Sequence, residues 1–213
     1  MSLMENSKRA FDEATNASQI EKILEGACKL IDETGFSNFS MSELARRVEL
    51  AKGAIYLFAE TKEELFAEIY LKSLEAYISI VMPHAAMDTA LTAEMLIAAK
   101  EVPLFLPLLA RFTTTIEPTL PRDGLIETKR QVAVQMERFA ARLIKTRGLE
   151  HERAMDLAQA LFVALQGASH LAAEKPEHFE GLPDDVKALY SLTDFDEAFA
   201  RVARMILRGA ASS

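Results

Sequence analysis

Apolar side chains recur every three or four positions along most of the chain, and no segment alternates apolar with polar residues as a half-buried strand would. The pattern predicts an all-α protein of about nine helices. The clearest apolar stripe runs from Ser18 to Thr34, and Gly35 suits the left-handed position that ends many helices. All seven prolines lie at or beyond Pro83, so uninterrupted helices are predicted before it.

The segment between Gly35 and Pro83 predicts three further helices, over residues 40–48, 52–58 and 61–82. The first and third open with the spacing of a capping box, in which a hydroxyl and a glutamate three residues later bond to the first backbone N–H groups. The two pairs are Ser40 with Glu43 and Thr61 with Glu64.

Five more helices are predicted beyond Pro83, starting at or near Asp88, Pro103, Asp123, Glu150 and Asp194. Pro107 should truncate or kink the second of these, because a proline inside a helix removes a hydrogen bond. Gly148 should end the third. The polar segment 174–190 is predicted to be a loop.

Composition limits the class of protein. The chain has 213 residues, half of them apolar, one cysteine (Cys28) and a net charge of −8. This predicts a soluble, cytoplasmic protein that buries its core without a disulfide. Because the spacing of proline and glycine changes after Pro83, two domains are predicted, 1–72 and 73–213, divided near Lys72 inside the fourth helix. The four histidines are scattered and no catalytic or metal-binding motif is present, so we expect no enzyme, metal or cofactor.

The segment from Glu43 to Leu65, ELARRVELAKGAIYLFAETKEEL, has the spacing of two short helices that cross steeply over a tight turn. Its apolar residues fall where such a pair must bury side chains: Leu44, Val48, Leu50, Ile55 and Phe58. The second helix then presents a face of mostly short side chains that can enter a major groove: Lys52, Gly53, Ala54, Tyr56 and Leu57. Residues 40–65 carry four basic and five acidic side chains, so binding to DNA must depend on where a few groups point.

The sequence AKGAIYLFAETKEEL, residues 51–65, resembles the recognition helix and the start of the fourth helix in the TetR family of transcriptional regulators. The family pattern is close to S-K-G-x-[IL]-Y-x-[YF]-F-x-[ST]-K-E-x-L. It is matched in register at Lys52, Gly53, Ile55, Tyr56, Phe58, Thr61, Lys62, Glu63 and Leu65. The upstream sequence GFSNFSMSELARRVEL is also similar, and beyond about residue 70 only length and helix number fit.

That resemblance implies particular contacts with DNA. Phosphates would be contacted by Ser40, Ser42, Tyr56 and Lys62, and base edges by Lys52, Ala54 and Leu57, with Gly53 leaving room for close approach. Tyr56 also packs in any interpretation, and Lys62 is almost equally well explained as a solvated surface residue.

Three positions depart from the family pattern. Glu49 stands in the turn where glycine is common, Ala51 replaces the serine that would cap the recognition helix, and Ala59 replaces a phenylalanine. A left-handed Glu49 would be strained by about 1 to 2 kcal/mol. The missing cap would cost about 1 kcal/mol.

The resemblance also implies a two-fold dimer that reads half-sites about 34 Å apart or further. Small and apolar residues on the last two predicted helices suit a four-helix dimer interface, although the same faces would also complete a monomer core. They include Leu157, Leu161, Leu165, Gly167, Leu171, Phe195, Phe199, Val202 and Met205.

A small hydrophobic effector is implied for the C-terminal domain. The candidate pocket residues, which describe an ordinary core equally well, are Met82, Met95, Phe105, Phe112, Met136, Phe139, Phe162, Gln166 and His170. The predicted function is a ligand-responsive transcriptional regulator, most simply a repressor, that binds a palindromic operator as a homodimer. The alternative is a helical dimerisation or adaptor protein that does not bind DNA, which the acidic charge balance favours.

Overall fold

A computed structural model of the chain describes residues 3–81, 88–172, 179–191 and 194–211. Every regular element in these ranges is helical, which confirms the predicted all-α class. The α-helices of the described ranges are α1 (Leu3–Thr34), α2 (Met41–Arg47), α3 (Lys52–Phe58), α4 (Lys62–Ile80), α5 (Asp88–Glu101), α6 (Phe105–Arg111), α7 (Arg122–Arg147), α8 (His151–Ser169), α9 (Asp184–Ser191) and α10 (Phe195–Ala211). A π-helical turn, Phe112–Ile116, and a 3-10 turn, Glu117–Thr119, follow α6.

Tertiary contacts divide the chain into two compact units, residues 1–69 and 70–213, and the division falls inside α4. The first unit contains α1, α2, α3 and the start of α4. Its core combines the inward stripe of α1 with apolar residues of α2, α3 and α4, all buried: Ile23, Leu24, Ala27, Leu30, Ile31, Leu44, Val48, Ile55 and Leu65. Phe66 meets Phe36 and Phe39 edge to face, with ring centroids 5.3 and 5.1 Å apart.

The second unit is built around α8, which packs against α6, α7 and α10. Its buried core includes Phe139 and Leu143 of α7, Leu161 and Leu165 of α8, and Phe199 and Leu207 of α10. Two stacked aromatic pairs, Tyr70 with Phe112 and Tyr77 with Phe105, join the later part of α4 to the region of α6, each with ring centroids 4.3 Å apart.

Two expectations about the first unit are wrong. α1 begins at Leu3 rather than Ser18, because residues 3–17 contain neither proline nor glycine and can continue the helix. Ser40 is the N-cap residue of α2, but its side chain makes no capping hydrogen bond. The predicted box with Glu43 does not form because that carboxylate pairs with Arg46 instead, and charge-assisted bonds are the stronger ones.

Expectations about the second unit also need correction. Pro107 lies in the first turn of α6, where backbone N–H groups have no partner within the helix, and α6 continues past it to Arg111. The predicted loop 174–190 contains a 3-10 turn, Phe179–Gly181, and α9. α9 raises the number of α-helices in the described ranges to ten, one more than predicted. Its first turn carries Asp184 and Asp185, which favour the positive end of the helix dipole.

Helix ends set by local signals agree with prediction. Gly35 and Gly148 follow α1 and α7 with φ of +73° and +66°. The N–H groups of Asp196 and Glu197 donate to Asp194 Oδ1 at 2.9 and 3.2 Å, so Asp194 caps α10 as expected. α7, by contrast, begins at Arg122 with Pro121 at its N-cap, slightly before the predicted cap Asp123. Among the described helices, none has the length and apolar character needed to cross a membrane.

Candidate nucleic-acid interface

α2 and α3 are joined by a tight turn at Val48, Glu49 and Leu50. Glu49 has φ of +53°, the left-handed conformation that was expected from its place in the turn. The N–H of Leu50 donates to the carbonyl of Ala45 at 3.1 Å and closes the turn. Ala51, at the N-cap of α3, has no side chain that can cap the helix. The turn is therefore held by backbone bonds and by packing beneath it.

The packing beneath the motif depends on a close approach between α1 and α2 at Gly26. A Cβ atom added to Gly26 would lie 2.3 Å from Val48 Cγ1 and 3.3 Å from Leu44 Cδ1. Leu44, Val48 and Ile55 are buried as predicted, whereas Leu50 and Phe58 are half-buried. The importance of Gly26 could not be predicted from the sequence, because the side chain that excludes a Cβ atom there, Val48, lies far along the chain.

α3 exposes the face that the sequence predicted. The Leu57 side chain is 91% exposed and Tyr56 is 45% exposed, although both are large apolar or aromatic residues. Lys52 and Gly53 are also exposed, and Ala54 is half-buried. A Cβ atom at Gly53 would have no neighbour within 4 Å. The helix thus offers an unobstructed surface on which apolar groups stand in water, a feature that marks an interaction site.

Two helix N-termini flank this surface in sequence. Ser40 and Ser42 are exposed at the start of α2. At the start of α4 the predicted capping box forms: the N–H of Glu64 donates to Thr61 Oγ1 at 3.1 Å, and the N–H of Thr61 donates to Glu64 Oε2 at 3.4 Å. The N–H of Glu60 donates to the same Glu64 oxygen at 2.7 Å. Lys62 is half-buried, with its Nζ 4.0 Å from a Glu63 carboxylate oxygen.

The two arginines of α2 are engaged by carboxylates. Arg46 Nε and Nη2 donate to the two oxygens of Glu43 at 2.9 and 2.5 Å, and Arg47 Nη2 donates to Glu33 Oε2 at 2.5 Å. These hydrogen bonds lower the pKa of both glutamates and raise the pKa of both arginines. The sequence shows these four charges but not which carboxylate each arginine binds.

The predicted effector residues have varied positions in the second unit. Met95, Phe105, Phe112 and Phe139 are buried, Met136, Phe162 and Gln166 are half-buried, and His170 is exposed. Gln166 Nε2 donates to Thr113 Oγ1 at 3.0 Å, so this polar candidate is already hydrogen-bonded within the chain. Met82 lies outside the described residues. The buried members form part of a packed core.

Tyr77 is a polar group that sequence reasoning missed. Its ring is fully buried and stacks on Phe105, and burial raises the pKa of its hydroxyl. The hydroxyl has no hydrogen-bond partner within the described part of the chain. A buried donor of this kind is expensive to leave unpaired, so it is a candidate contact for a polar atom of a bound molecule.

A separate cleft of about 500 Å³ lies between α5 and α10. It contains none of the predicted effector residues and is lined partly by charged side chains: Thr89, Thr92, Ala93, Leu96, Asp196, Glu197, Ala200, Arg201 and Arg204. Lys100 and Asp196 form an ion pair across the same two helices.

α8 and α10 divide their apolar residues between core and surface. Leu157, Leu161, Leu165, Phe195 and Phe199 are buried within the single chain, so they complete its core and are not available to a partner. A second stripe faces solvent on each helix. Val163 is 60% exposed and Met205 is 70% exposed, and Gly167 and Val202 are exposed with them. Leu171, in the 3-10 turn His170–Ala172 that follows α8, is exposed as well.

These features define a helix-turn-helix DNA-binding protein: a tight left-handed turn, a short second helix with an open outward face, and capped or free helix N-termini on either side. Comparison with known proteins gives the family. Residues 23–69 match the family described as bacterial regulatory proteins, tetR family, and residues 66–213 match the tetracyclin repressor-like C-terminal domain. The chain belongs to the TetR family, and it is therefore a transcription regulator and not an enzyme.

Solved structures share this fold at low sequence identity. A TetR transcriptional regulator from Rhodococcus sp. RHA1 aligns with a TM-score of 0.59 at 16% identity, over 92% of this chain and 97% of that one. A second transcriptional regulator from Rhodococcus sp. RHA1 gives 0.56 at 20% identity, over 89% and 96%. The TetR family regulator PfmR from Thermus thermophilus gives 0.51 at 20% identity, over 87% and 97%. No curated protein matches the sequence.

Proposed function

We propose that this regulator is a cytoplasmic repressor that binds a palindromic operator as a homodimer and is released by a small hydrophobic molecule. The observation that carries the proposal is the face of α3, where Leu57 is 91% exposed beside Tyr56. A leucine left in water on a seven-residue helix is best explained by a partner that covers it. A thymine methyl group in the major groove is an apolar partner of the right size.

The remaining DNA contacts follow from chemistry and exposure. Lys52 would donate to a guanine or a phosphate, and Ala54 would add a second apolar contact next to Leu57. Ser40, Ser42, Tyr56 and Lys62 would bind phosphates through hydroxyls and an ammonium group near the N-termini of α2 and α4. Gly53 would allow the helix backbone to approach the DNA closely, since no side chain stands between them.

Dimerisation would use the exposed stripes of α8 and α10. Val163, Leu171, Val202 and Met205 form an apolar surface, and the exposed Gly167 permits close approach of a second helix. Two copies related by a two-fold axis would place their recognition helices on half-sites about 34 Å apart or further. An operator with matching symmetry follows from that arrangement.

The effector would bind in the second unit, among Met95, Phe105, Phe112, Met136, Phe139 and Phe162, with Gln166, His170 and Met82 as further candidates. The unpartnered hydroxyl of Tyr77 supports this location, because a ligand oxygen would satisfy it. Release of DNA requires that the effector prefer a state of the dimer whose recognition helices do not fit the operator.

Selection of bound sequences from random duplex DNA at about 50 mM salt tests the proposal, since low salt strengthens phosphate contacts. We expect one palindrome to be recovered. Recovery of no sequence above background would instead support an adaptor protein that does not bind DNA.

Two variants of α3 separate base recognition from general affinity. Leu57→Ala should change the preference at one base position of each half-site, because only an apolar base contact is lost, at about 1 kcal/mol. Tyr56→Ala should weaken binding to all sequences alike, because phosphates are the same everywhere. Binding isotherms on the operator and its single-base variants measure both effects, and a uniform loss for Leu57→Ala would contradict its role.

A further inference from the structure

The outward face of α2 carries a cation that the proposed DNA contacts do not use. Ser42 and Arg46 are four residues apart and share one side of the helix, opposite the buried Met41, Leu44 and Ala45. The Arg46 side chain is 75% exposed although it is paired. It therefore lies on the same side as a proposed phosphate contact, within one helical turn of it.

The pair between Arg46 and Glu43 has the geometry in which a guanidinium binds a phosphate. Two parallel hydrogen bonds, from Nε and Nη2, engage both carboxylate oxygens at 2.9 and 2.5 Å. A phosphate presents two oxygens at nearly the same spacing and accepts the same fork of donors. The two N–H groups of Arg46 that bind Glu43 are therefore the same ones that would bind a DNA phosphate.

Arg47 provides a contrast on the same helix. It binds Glu33 of α1, fourteen positions earlier in the chain, and its side chain is much less exposed than that of Arg46. The pair of Arg47 with Glu33 therefore connects α2 to α1 within the first unit. The hydrogen bonds of Arg46 with Glu43 lie within one turn of α2, and although Glu43 also feels the charge of Arg47, both side chains of the pair are exposed, so breaking it costs the fold little.

We propose that Arg46 is a DNA-phosphate-binding residue and that Glu43 is its competing partner in the DNA-free protein, so that binding exchanges a carboxylate for a phosphate. The inference rests on the proposed function, because it assumes that α2 meets the operator backbone. Binding breaks two hydrogen bonds to Glu43 and forms two to phosphate, with no net transfer of a proton.

The exchange responds to phosphate and salt, and not to pH near neutrality. The hydrogen bonds from Arg46 lower the pKa of Glu43, so its carboxylate stays ionised and remains a competitor throughout the physiological range. Competition of this kind weakens binding to every DNA sequence. The operator and non-specific DNA lose affinity by the same factor, so the ratio of the two affinities, which is the specificity, does not change.

A double-mutant cycle on a duplex of about 30 base pairs that carries the selected operator tests the proposal. The four proteins are the wild type, Glu43→Gln, Arg46→Ala and the double variant, measured by fluorescence anisotropy from about 50 to 200 mM KCl. Glu49→Gln serves as the matched control, because it removes one negative charge from the same motif without affecting Arg46. Thermal unfolding followed by circular dichroism checks that each variant is folded.

Glu43→Gln should tighten binding about fivefold when Arg46 is present. In the Arg46→Ala background it should tighten binding no more than Glu49→Gln does in the wild type. Arg46→Ala should also reduce the slope of log affinity against log salt by about 0.9, the value for one lost phosphate contact.

Two results would overturn the proposal. One is an equal effect of Glu43→Gln in both backgrounds, which would mean that only net charge matters. The other is an unchanged affinity and salt slope for Arg46→Ala. In both cases the wild type still binds its operator, whereas failure of the proposed function appears as a wild type that binds no duplex.

Discussion

Gly53 and Leu57 shape the same surface in opposite ways. Leu57 places an apolar side chain fully in solvent, and Gly53 places no side chain at all where one would meet no protein atom. The stability of the free protein therefore does not explain the glycine, since alanine is the better helix former and would fit. We propose that the glycine is required by close approach of DNA to α3, which is a demand of binding and not of folding.

Replacement of Gly53 tests whether its effects on stability and on DNA binding are opposite. Gly53→Ala should raise the free energy of unfolding by about 0.5 to 1 kcal/mol, because alanine loses less backbone entropy in a helix. The same change should weaken operator binding, because the added methyl group stands between α3 and the DNA. Urea denaturation and anisotropy measure the two effects. Gly124→Ala in α7, where a Cβ atom makes only ordinary contacts, should stabilise the protein without altering DNA binding.

At the scale of elements, α2 and α3 are positioned by α1. The turn that joins them contains a left-handed Glu49, and the helix that follows has no side-chain cap at Ala51, so neither local feature stabilises the motif. What holds it is the contact of Val48 and Leu44 with the backbone at Gly26, together with burial of Ile55. The recognition surface is thus presented by packing more than by the turn itself.

That dependence predicts a large effect at a glycine far from the recognition helix. Gly26→Ala should lower the free energy of unfolding by about 1 to 3 kcal/mol, because a Cβ atom would meet Val48 Cγ1 at 2.3 Å. Addition of Val48→Ala should restore part of the loss, since it removes the methyl groups that clash. Urea denaturation of the single and double variants measures the coupling. Additive losses would show that Gly26 and Val48 do not meet.

α4 is held at its C-terminal end by α7. Arg142 donates to the carbonyl of Ile78, in the last turn of α4, and to that of Val81, the residue after the helix. Burial lowers the pKa of Arg142, and the nearby charge of Arg138 lowers it further. Arg138 itself makes longer contacts, at 3.4 Å, with Glu75 and Ser79. The C-terminal end of α4 is therefore held mainly by the side chain of Arg142.

Removal of that side chain should loosen the helix end. Arg142→Ala should cost about 2 kcal/mol, the scale of hydrogen bonds to a charged group, and should increase hydrogen exchange in the last turn of α4. Arg138→Ala is the control and should cost less than about 1 kcal/mol, because its ion pair is exposed. Equal losses for the two variants would show that Arg142 has no special role.

At the scale of the whole molecule, the proposed regulator depends on a second copy of the chain. One helix-turn-helix with four basic and five acidic residues over 40–65 is a weak electrostatic ligand for DNA. Two joined copies bind far more tightly, because the second contact becomes intramolecular. In the described ranges, the exposed apolar stripes of α8 and α10 suit a dimer interface of this kind.

A charge placed in that surface should separate the copies. Met205→Glu should convert the dimer to a monomer, since a carboxylate would be buried without a partner, and should weaken operator binding about a hundredfold or more. Sedimentation equilibrium and anisotropy measure the two changes. Ile97→Glu alters an equally apolar exposed residue on α5 and should leave both unchanged. A dimer that survives Met205→Glu would place the interface elsewhere.

Local signals in the sequence determined the parts of this protein that depend on near neighbours. The glycines that end α1 and α7 and the caps at Thr61 and Asp194 all follow from side chains within four residues of the bond or torsion concerned. The outward face of α3 was predictable for the same reason, because helical spacing alone decides which residues share a side.

Only the tertiary structure decided the features that depend on distant residues. Whether Glu43 caps a helix or pairs with Arg46, and why Gly26 carries no side chain, depends on competition and contact in three dimensions. The same holds for α8 and α10, which each carry more than one apolar stripe. The packing of neighbouring helices decides which apolar residues are buried, as Leu161 and Phe199 are, and which are exposed, as Val163 and Met205 are. The periodicity of the sequence does not show which stripe will be covered.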